Sequence, residues 1–196
     1  MFFVKKDLII AGVDEAGRGP LAGPVIASAV ILGCAKLDGL NDSKKLTDAK
    51  RQVLHKVITT DYDYGIGVCS ASEVDKLGIK KATNLAMKRA VSQLKTKPDK
   101  LLIDGCDKFT FDTPSEDIIK GDEKEPCISA ASVVAKVERD TYMKEIAKKY
   151  PKFGFESNKG YGSEKHRKLL EEGIYCEEHR TTYEPLKTFL TQHRLF

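Results

Sequence analysis

The chain has 196 residues, of which 41% are hydrophobic and 32% are charged, and its formal net charge of +4 is too small to identify a binding partner. This length and apolar fraction predict one principal domain with a buried core. No run of eighteen apolar residues exists, which excludes a membrane-spanning helix, and the five cysteines include no C-x-x-C pair, which argues against a disulfide framework and a cysteine-bound zinc ion. The first residues lack the basic-then-apolar order of a signal peptide, so we expect a cytoplasmic protein.

Two β-strands are predicted at the start of the chain. The apolar run at residues 8–13 predicts a buried strand that ends at Asp14 and Glu15, and residues 24–32 form a second β-rich run. Residues 17–23, which lie between them, contain three glycines and a proline, as is typical of a turn. We therefore predict a strand, a turn and a second strand in this order.

Helices and strands alternate in the next part of the chain. Thr47 is a suitable N-cap for a helix that runs to about residue 59, and a strand is predicted at residues 62–68. Residues 79–95 have the apolar periodicity of an amphipathic helix, and residues 101–103 predict a short buried strand that ends at Asp104.

The last predicted core element is a long helix at residues 129–150, whose first half is small and apolar and would pack closely against a sheet. Pro151 ends this helix, and the polar residues 151–196 that follow predict a helical extension. The alternation of strands and helices predicts an α/β sandwich. We expect a core domain over residues 1–150, with the extension at residues 151–196 packed on it.

Charge is distributed unevenly along the sequence. Residues 76–100 contain eight basic residues and one acidic residue, and Lys81, Lys88 and Lys95 recur at seven-residue spacing on one helix face. Residues 104–126 contain eight acidic and three basic residues. Each block alone is typical of a solvated surface. Together they favour an enzyme that holds a phosphate backbone beside an acidic, metal-binding pocket.

Carboxylates stand at the ends of two apolar strands. Asp14 and Glu15 follow the first strand, and Asp104 follows the strand at residues 101–103. If these strands are neighbours, two bare carboxylates at ~4 Å repel by roughly 4 kcal/mol at an effective dielectric of about 20. A shared proton, a basic side chain or a divalent cation such as Mg²⁺ would offset this repulsion. Ordinary strand-end or turn positions for these acids remain an alternative at this point.

The turn after the first acidic pair contains the sequence Gly17-Arg18-Gly19. Its spacing is G-x-G-x-x-x-G, which differs from the G-x-G-x-x-G of dinucleotide-binding loops, and the adjacent Asp14 and Glu15 would repel a pyrophosphate. A turn of this kind suits a polynucleotide better, because glycines let the backbone approach closely and Arg18 can hold a phosphate through two hydrogen bonds. A tight turn with a surface arginine is the structural alternative.

Two further polar segments are candidates for substrate contacts. Ser43 and Lys44 precede the first helix and could contact phosphate, although a capping loop explains them equally well. Tyr161 stands between two glycines in the sequence Lys-Gly-Tyr-Gly, where an exposed ring could stack on a base or a sugar. Core packing is the usual role of tyrosine, and the flanking glycines make it less favoured here.

A family resemblance rests on the order of these segments. The block at residues 12–25, which reads GVDEAGRGPLAGPV, resembles the opening motif of ribonuclease HII, the type 2 ribonuclease H. Shorter matching blocks follow in the family's order to about residue 185, at residues 42–46, 102–105, 121–122, 128–137, 139–140, 150–151, 159–162, 166 and 179–180. The sequence departs from the family pattern at Glu138, Asn158 and Thr182-Tyr183, where threonine, histidine and a Ser-Phe pair are usual.

The resemblance implies a ribonuclease H fold, with a five-stranded mixed sheet flanked by helices and a C-terminal helical extension. It implies that two Mg²⁺ or Mn²⁺ ions are bound by Asp14, Glu15, Asp104 and Asp122. Spacing alone does not favour Asp122 over Asp117 or Glu123, so its assignment depends on the resemblance.

The implied activity is hydrolysis of the RNA strand of RNA–DNA hybrids, and cleavage 5′ of single ribonucleotides embedded in duplex DNA. Gly17, Arg18 and Gly19 are expected to contact the ribose 2′-hydroxyl, and Tyr161 to stack at the deoxyribose side of the RNA–DNA junction. Type 3 enzymes share much of the pattern but carry a sizeable N-terminal domain, and only 13 residues precede Asp14, so type 2 is favoured.

Two other functional classes are alternatives. A transposase or resolvase would share the fold and the acidic metal site without needing the Gly-Arg-Gly turn, and a non-catalytic binding module would not need four acids in one place. We expect a monomer. The chain ends with Gln192, Leu195 and Phe196 in a Q-x-x-L-F pattern, which resembles peptides that bind bacterial sliding clamps, although a final helical turn is the simpler interpretation.

Overall fold

A computed structural model describes residues 8–33, 37, 39–40 and 46–193 of the chain. Its centre is a five-stranded mixed sheet. The strands are β1 Ile10–Ala16, β2 Val25–Ile31, β3 Asp63–Cys69, β4 Lys100–Asp104 and β5 Ser115–Ile118. Their order across the sheet is β3-β2-β1-β4-β5. The β1–β2 and β2–β3 pairs are antiparallel, and the β1–β4 and β4–β5 pairs are parallel. The expected α/β class and mixed five-stranded sheet are confirmed.

Helices pack on the sheet. They are α1 Asp48–Asp61, α2 Ala71–Leu77, α3 Ile79–Ser92, α4 Gly121–Lys124, α5 Pro126–Lys149, α6 Phe155–Asn158, α7 Glu164–Glu171 and α8 Leu186–His193. Helix α3 packs mainly on β3 and β2, α5 packs mainly on β1 and β2, and α1 packs against α5. Within the described residues, no helix is both long and apolar enough to cross a membrane.

The first half of α5 lies unusually close to β1. A Cβ atom placed on Gly12 would be 2.2 Å from the backbone carbonyl carbon of Cys127, so glycine is the residue that permits this approach. The small residues predicted to pack against the sheet, from Ser129 to Ala135, are all buried. This packing brings the α5 side chains close to the end of β1 that carries Asp14.

Several predicted boundaries differ from the structure. Strand β1 continues through Ala16 because it pairs with β2 as far as Ile26, so Asp14 and Glu15 lie inside the strand rather than beyond its end. Helix α5 begins at Pro126 instead of residue 129, since the fixed φ of proline suits the first helical turn. Helix α3 ends at Ser92, and the carboxylate of Asp63 accepts hydrogen bonds from the backbone that follows.

The C-terminal segment packs against the turn between β1 and β2. The backbone of Leu21 donates to Gly160 at 2.8 Å and accepts from Arg180 at 2.9 Å, and Gly23 donates to Glu178 at 2.8 Å. Residues from the two segments therefore form one continuous surface at this end of the sheet. The division at residue 150 stays a prediction.

Candidate active site

Parallel pairing of β1 with β4 brings the predicted acids together. Val13 is paired with Ile103, so Asp14 and Asp104 are the next residues on two neighbouring strands. The carboxyl ends of parallel strands are where ligands bind in open α/β sheets. The two strands that carry Asp14 and Asp104 are therefore neighbours, which is the condition under which the sequence predicts that these acids lie close together.

Asp14 is buried, with only 5% of its surface exposed. One carboxylate oxygen accepts a hydrogen bond from the backbone of Glu15 at 2.7 Å, and the side chain of Ser132 also hydrogen-bonds to it. Burial raises the pKa of Asp14 well above its usual range, and the negative charges of Glu15 and Asp104 raise it further. The site therefore concentrates negative charge that a cation would stabilise.

Glu15 and Arg18 are joined through a partly buried charge network. Burial raises the pKa of Glu15 to about 7, while the positive charge of Arg18 opposes this shift. The Arg18 guanidinium lies 2.6 Å from a carboxylate oxygen of Asp107 and 3.4 Å from one of Glu15. Asp107 also lies 3.5 Å from the ammonium of Lys80. Arg18 is thus positioned over the acidic residues by Asp107, which the sequence did not identify.

Asp104 is oriented by the turn that carries Asp122. Its Oδ1 accepts from the backbone N–H of Gly121 at 2.7 Å and of Asp122 at 3.4 Å. Asp122 is buried, with 6% exposed, in the first turn of α4. By contrast, Asp117 accepts from the backbone of Lys108. These contacts favour Asp122 over Asp117 as the fourth acid, and its role as a ligand stays a prediction.

A cavity of about 400 Å³ opens at this end of the sheet. It brings together most of the residues predicted from the sequence, namely Asp14, Glu15, Gly17, Arg18, Gly19, Asp104 and Tyr161. It also includes Ser132, Lys136 and Arg139, which the sequence reasoning missed. Their spacing of four and three residues places them on one face of α5, and this periodicity was the available signal.

The donor set at the cavity fits hard divalent cations. In the described part of the chain, no three His, Cys, Asp or Glu side chains are arranged as a ready-made metal site. However, Asp14, Glu15 and Asp104 supply carboxylate oxygens to one cavity. Burial, and then the negative charge of neighbouring carboxylates, raise the pKa values of Asp14 and Glu15. Carboxylates are the ligands that Mg²⁺ and Mn²⁺ prefer. A bound cation would lower these pKa values and draw the side chains together.

Tyr161 lines the cavity and is 49% exposed. The guanidinium carbon of Arg139 lies 5.9 Å from the centre of its ring. The exposed ring is consistent with a stacking surface and does not fit the core-packing alternative. Ser43 and Lys44 lie outside the described residues, as do Leu195 and Phe196; Gln192 is exposed on α8.

A buried histidine pair supports the backbone of Tyr161. The Nδ1 of His166 lies 2.8 Å from the Tyr161 carbonyl oxygen, which can only accept, so this nitrogen carries the proton. The Nε2 of His166 then accepts from the Nε2–H of His179 at 2.9 Å, and the Nδ1 of His179 accepts from the backbone of Cys176 at 3.0 Å. Burial, and then the neighbouring His166, lower the pKa of His179 to about 4. Both rings are therefore neutral at physiological pH.

The basic block forms a separate surface. Lys81 and Lys88 are exposed on α3 as predicted, and Lys95 is exposed three residues beyond the end of that helix. A depression of about 650 Å³ at the C-terminal end of this helix is lined by Lys88, Lys95 and Lys97, among other residues. It lies near the start of β4, whereas the acidic residues lie at the end of that strand. This basic depression is not part of the acidic cavity.

Comparisons with known proteins agree on one family. A family model described as Ribonuclease HII matches residues 11–185. The chain is 49% identical over 183 residues to the ribonuclease HII of Geobacillus sp. (strain WCH70), covering 92% of this chain and 66% of that protein. The solved ribonuclease H2 of Pyrococcus horikoshii OT3 is similar with a TM-score of 0.80 and 27% identity, over 94% of this chain and 98% of that one. The RNase HII of Archaeoglobus fulgidus, solved as a complex with PCNA, is similar with a TM-score of 0.72 and 26% identity, over 90% and 96% of the two chains.

Proposed function

Because the chain belongs to the ribonuclease HII family of divalent-metal-dependent endoribonucleases, we propose that it hydrolyses the RNA strand of RNA–DNA hybrids and cuts duplex DNA on the 5′ side of single embedded ribonucleotides. The observation that supports this most is the shared cavity, where three carboxylates face the Gly-Arg-Gly turn and Tyr161. Acids suited to metal binding and groups suited to ribose recognition are thus within reach of one nucleotide. The biological roles would be ribonucleotide removal from DNA and degradation of RNA primers.

Asp14, Glu15, Asp104 and Asp122 would hold two Mg²⁺ or Mn²⁺ ions. Such ions, when bound, supply charge neutralisation at the scissile phosphate and a lowered pKa for the attacking water. The contribution of the chain is to fix the carboxylates: β1 and β4 set their separation, and the backbone of Gly121 orients Asp104 through a 2.7 Å hydrogen bond. The products would be a 3′-hydroxyl and a 5′-phosphate.

Recognition of RNA would come from the turn and from Tyr161. The 2′-hydroxyl is the group that distinguishes RNA from DNA, and close approach of the Gly17 and Gly19 backbone would let the turn contact it. Arg18 carries a half-exposed guanidinium at the cavity and would contact the adjacent phosphate. The Tyr161 ring would stack on the sugar at the deoxyribose side. Ser43 and Lys44 would add phosphate contacts.

The proposal is tested with two duplexes of one sequence, one all-DNA and one with a single ribonucleotide. We expect cleavage of the ribonucleotide duplex alone, at its 5′ side, in the presence of Mg²⁺ or Mn²⁺. Equal cutting of both duplexes would refute the assignment of RNA specificity. No metal-dependent cutting of either would refute the activity itself, and would leave a non-catalytic binding module as the better interpretation.

We also propose that the protein acts as a monomer in the cytoplasm and that its C-terminus binds a sliding clamp. The clamp proposal is supported by the Q-x-x-L-F ending at Gln192, Leu195 and Phe196, and by the similar ribonuclease HII that was solved with PCNA. Deletion of residues 192–196 should abolish binding to a purified sliding clamp and leave cleavage of a short duplex unchanged. Unchanged clamp affinity would refute this part of the proposal.

A further inference from the structure

Two arginines are buried beneath the turn that joins β1 to β2. Arg180 is fully buried and Arg139 is 1% exposed, and neither forms an ion pair with a carboxylate of the described residues. Instead, every hydrogen bond of their guanidinium groups goes to a backbone carbonyl. Arg180 donates to Gly17 at 2.6 Å, Arg18 at 2.9 Å and Gly23 at 2.8 Å, and Arg139 donates to Ala22, Pro24 and Lys159 at 3.0–3.1 Å.

These contacts fix the direction of the amides in the turn. In a planar trans peptide the C=O and N–H groups point in opposite directions. Because the carbonyls of Gly17 and Arg18 point to Arg180, the N–H groups of Arg18 and Gly19 point away from it. Neither amide donates to an acceptor among the described residues, and both residues line the acidic cavity.

The two guanidinium groups also place positive charge behind these amides. Burial, followed by the like charge of Arg180, lowers the pKa of Arg139 to about 10, so both groups remain protonated at neutral pH. Burying two cations without a directly bonded acidic partner is costly. The carbonyl dipoles compensate for it, helped by the more distant charges of Asp140 and Asp75 and by the rings of Tyr161 and Tyr183. The resulting electrostatic field favours an electron-rich oxygen at the outward-facing amides.

We propose that Arg180 and Arg139 are positioning residues that turn the carbonyls of residues 17–24 inward, so that the amides of Arg18 and Gly19 donate to an oxygen of the bound ribonucleotide. This rests on the proposed function, which supplies the substrate. Tyr183 belongs to the same arrangement, because its hydroxyl donates to the carbonyl of Arg18 at 3.0 Å. None of these three side chains needs to touch the substrate to act in this way.

The first test uses Arg180→Lys. Lysine keeps the positive charge, but a single ammonium cannot reproduce the planar fork that reaches three carbonyls. We expect the KM for the single-ribonucleotide duplex to rise about tenfold or more, while kcat changes less than about twofold. Binding measured in EDTA identifies the substrate oxygen that the two amides contact. If Arg180→Lys binds both this duplex and the all-DNA duplex more weakly than the wild type does, the oxygen belongs to a phosphate. If only binding of the ribonucleotide duplex is weaker, it is the 2′-hydroxyl.

A gentler variant covers the case in which Arg180→Lys does not fold. Tyr183→Phe removes one donor to the Arg18 carbonyl and should raise KM about threefold. Tyr150→Phe is the matched control, because it removes an exposed hydroxyl that donates to Glu177 at 2.8 Å, and it should leave KM unchanged. The melting temperatures of all variants show whether a rise in KM comes from reoriented amides in a folded protein or from unfolding.

Amide NMR gives a readout that does not require activity. In EDTA, the signals of Arg18 and Gly19 should shift when the single-ribonucleotide duplex is added to the wild type, and shift less in Tyr183→Phe. Signals that move in the wild type and move less in Tyr183→Phe would support the positioning role even if the wild type cuts nothing in a parallel assay with Mg²⁺ or Mn²⁺, a result that would refute only the proposed function. Folded variants with wild-type KM and wild-type amide shifts, or losses confined to kcat, would overturn the proposal.

Discussion

Substitution of Gly17 by alanine should damage both stability and RNA recognition, whereas the same change at Gly19 should not. Gly17 has a φ of +100°, and a Cβ atom there would lie 2.1 Å from Nε of Arg139 and 2.6 Å from the carbonyl oxygen of Pro24. At Gly19 the nearest atom is a ring carbon of Tyr161 at 3.9 Å, which is an ordinary contact. The two glycines are thus a matched pair in one turn.

The expected magnitude follows from these distances. An unfavourable backbone conformation costs about 1–3 kcal/mol and overpacking of a buried contact costs about 1–3 kcal/mol more. Gly17→Ala should therefore lower the free energy of unfolding by about 2–6 kcal/mol, which corresponds to a fall of roughly 4–24 °C in Tm for a chain of this size. Gly19→Ala should change Tm by less than about 2 °C.

Thermal unfolding and cleavage of the single-ribonucleotide duplex, measured on both variants, test this reasoning. Gly17→Ala should also raise KM, because Arg139 must move and it holds the carbonyls of Ala22 and Pro24. A Gly17→Ala protein with wild-type Tm and KM would refute the account of the turn. So would a Gly19→Ala protein that is destabilised equally.

Two further predictions concern pH and salt. The pKa of His179 is about 4 in the folded protein, below the value near 6.5 of an unfolded chain. Between these two pKa values the unfolded state therefore binds more protons than the folded state, so the folded state is destabilised as pH falls. From pH 6.5 to pH 4 the free energy of unfolding of the wild type should fall by up to about 3 kcal/mol more than that of His179→Gln. Urea unfolding at a series of pH values measures this, and equal pH dependence in the two proteins would contradict it. Replacement of Lys81, Lys88 and Lys95 by glutamine should weaken the salt dependence of duplex binding. The magnitude of the slope of the logarithm of the association constant against the logarithm of the salt concentration should fall by up to about 3. An unchanged slope would show that these lysines do not contact the phosphate backbone of the duplex.

The acidic part of the site could be predicted from the sequence because it depends on local patterns. Asp14 and Asp104 each lie at the end of an apolar run, and those runs proved to be neighbouring strands. The error at Asp14 and Glu15, which lie inside β1, arose because the extent of a strand depends on its partner β2. The assignment of Asp122 depends on the family resemblance, since spacing alone leaves Asp117 and Glu123 equally suitable.

The support of the site could not be predicted, because it depends on long-range contacts. Arg180 is 163 residues from the carbonyl of Gly17 that it holds, and nothing in its local sequence indicates burial. Arginine side chains are normally exposed, so residue type alone predicts that Arg139 and Arg180 lie at the surface, whereas both are buried. Ser132, Lys136 and Arg139 line the cavity on a helix, α5, whose first turn packs closely against Gly12 of β1.

The central claim is that carboxylate-bound divalent ions at this cavity cut nucleic acid at a ribonucleotide. Asp104→Asn tests it most directly, because an asparagine oxygen can still accept from the backbone of Gly121 while the negative charge is lost. In a duplex with one ribonucleotide, the wild type should cleave with Mg²⁺ or Mn²⁺, and Asp104→Asn should bind the duplex with similar affinity but lose cleavage by at least about 100-fold. Cleavage by Asp104→Asn at the wild-type rate would contradict the account.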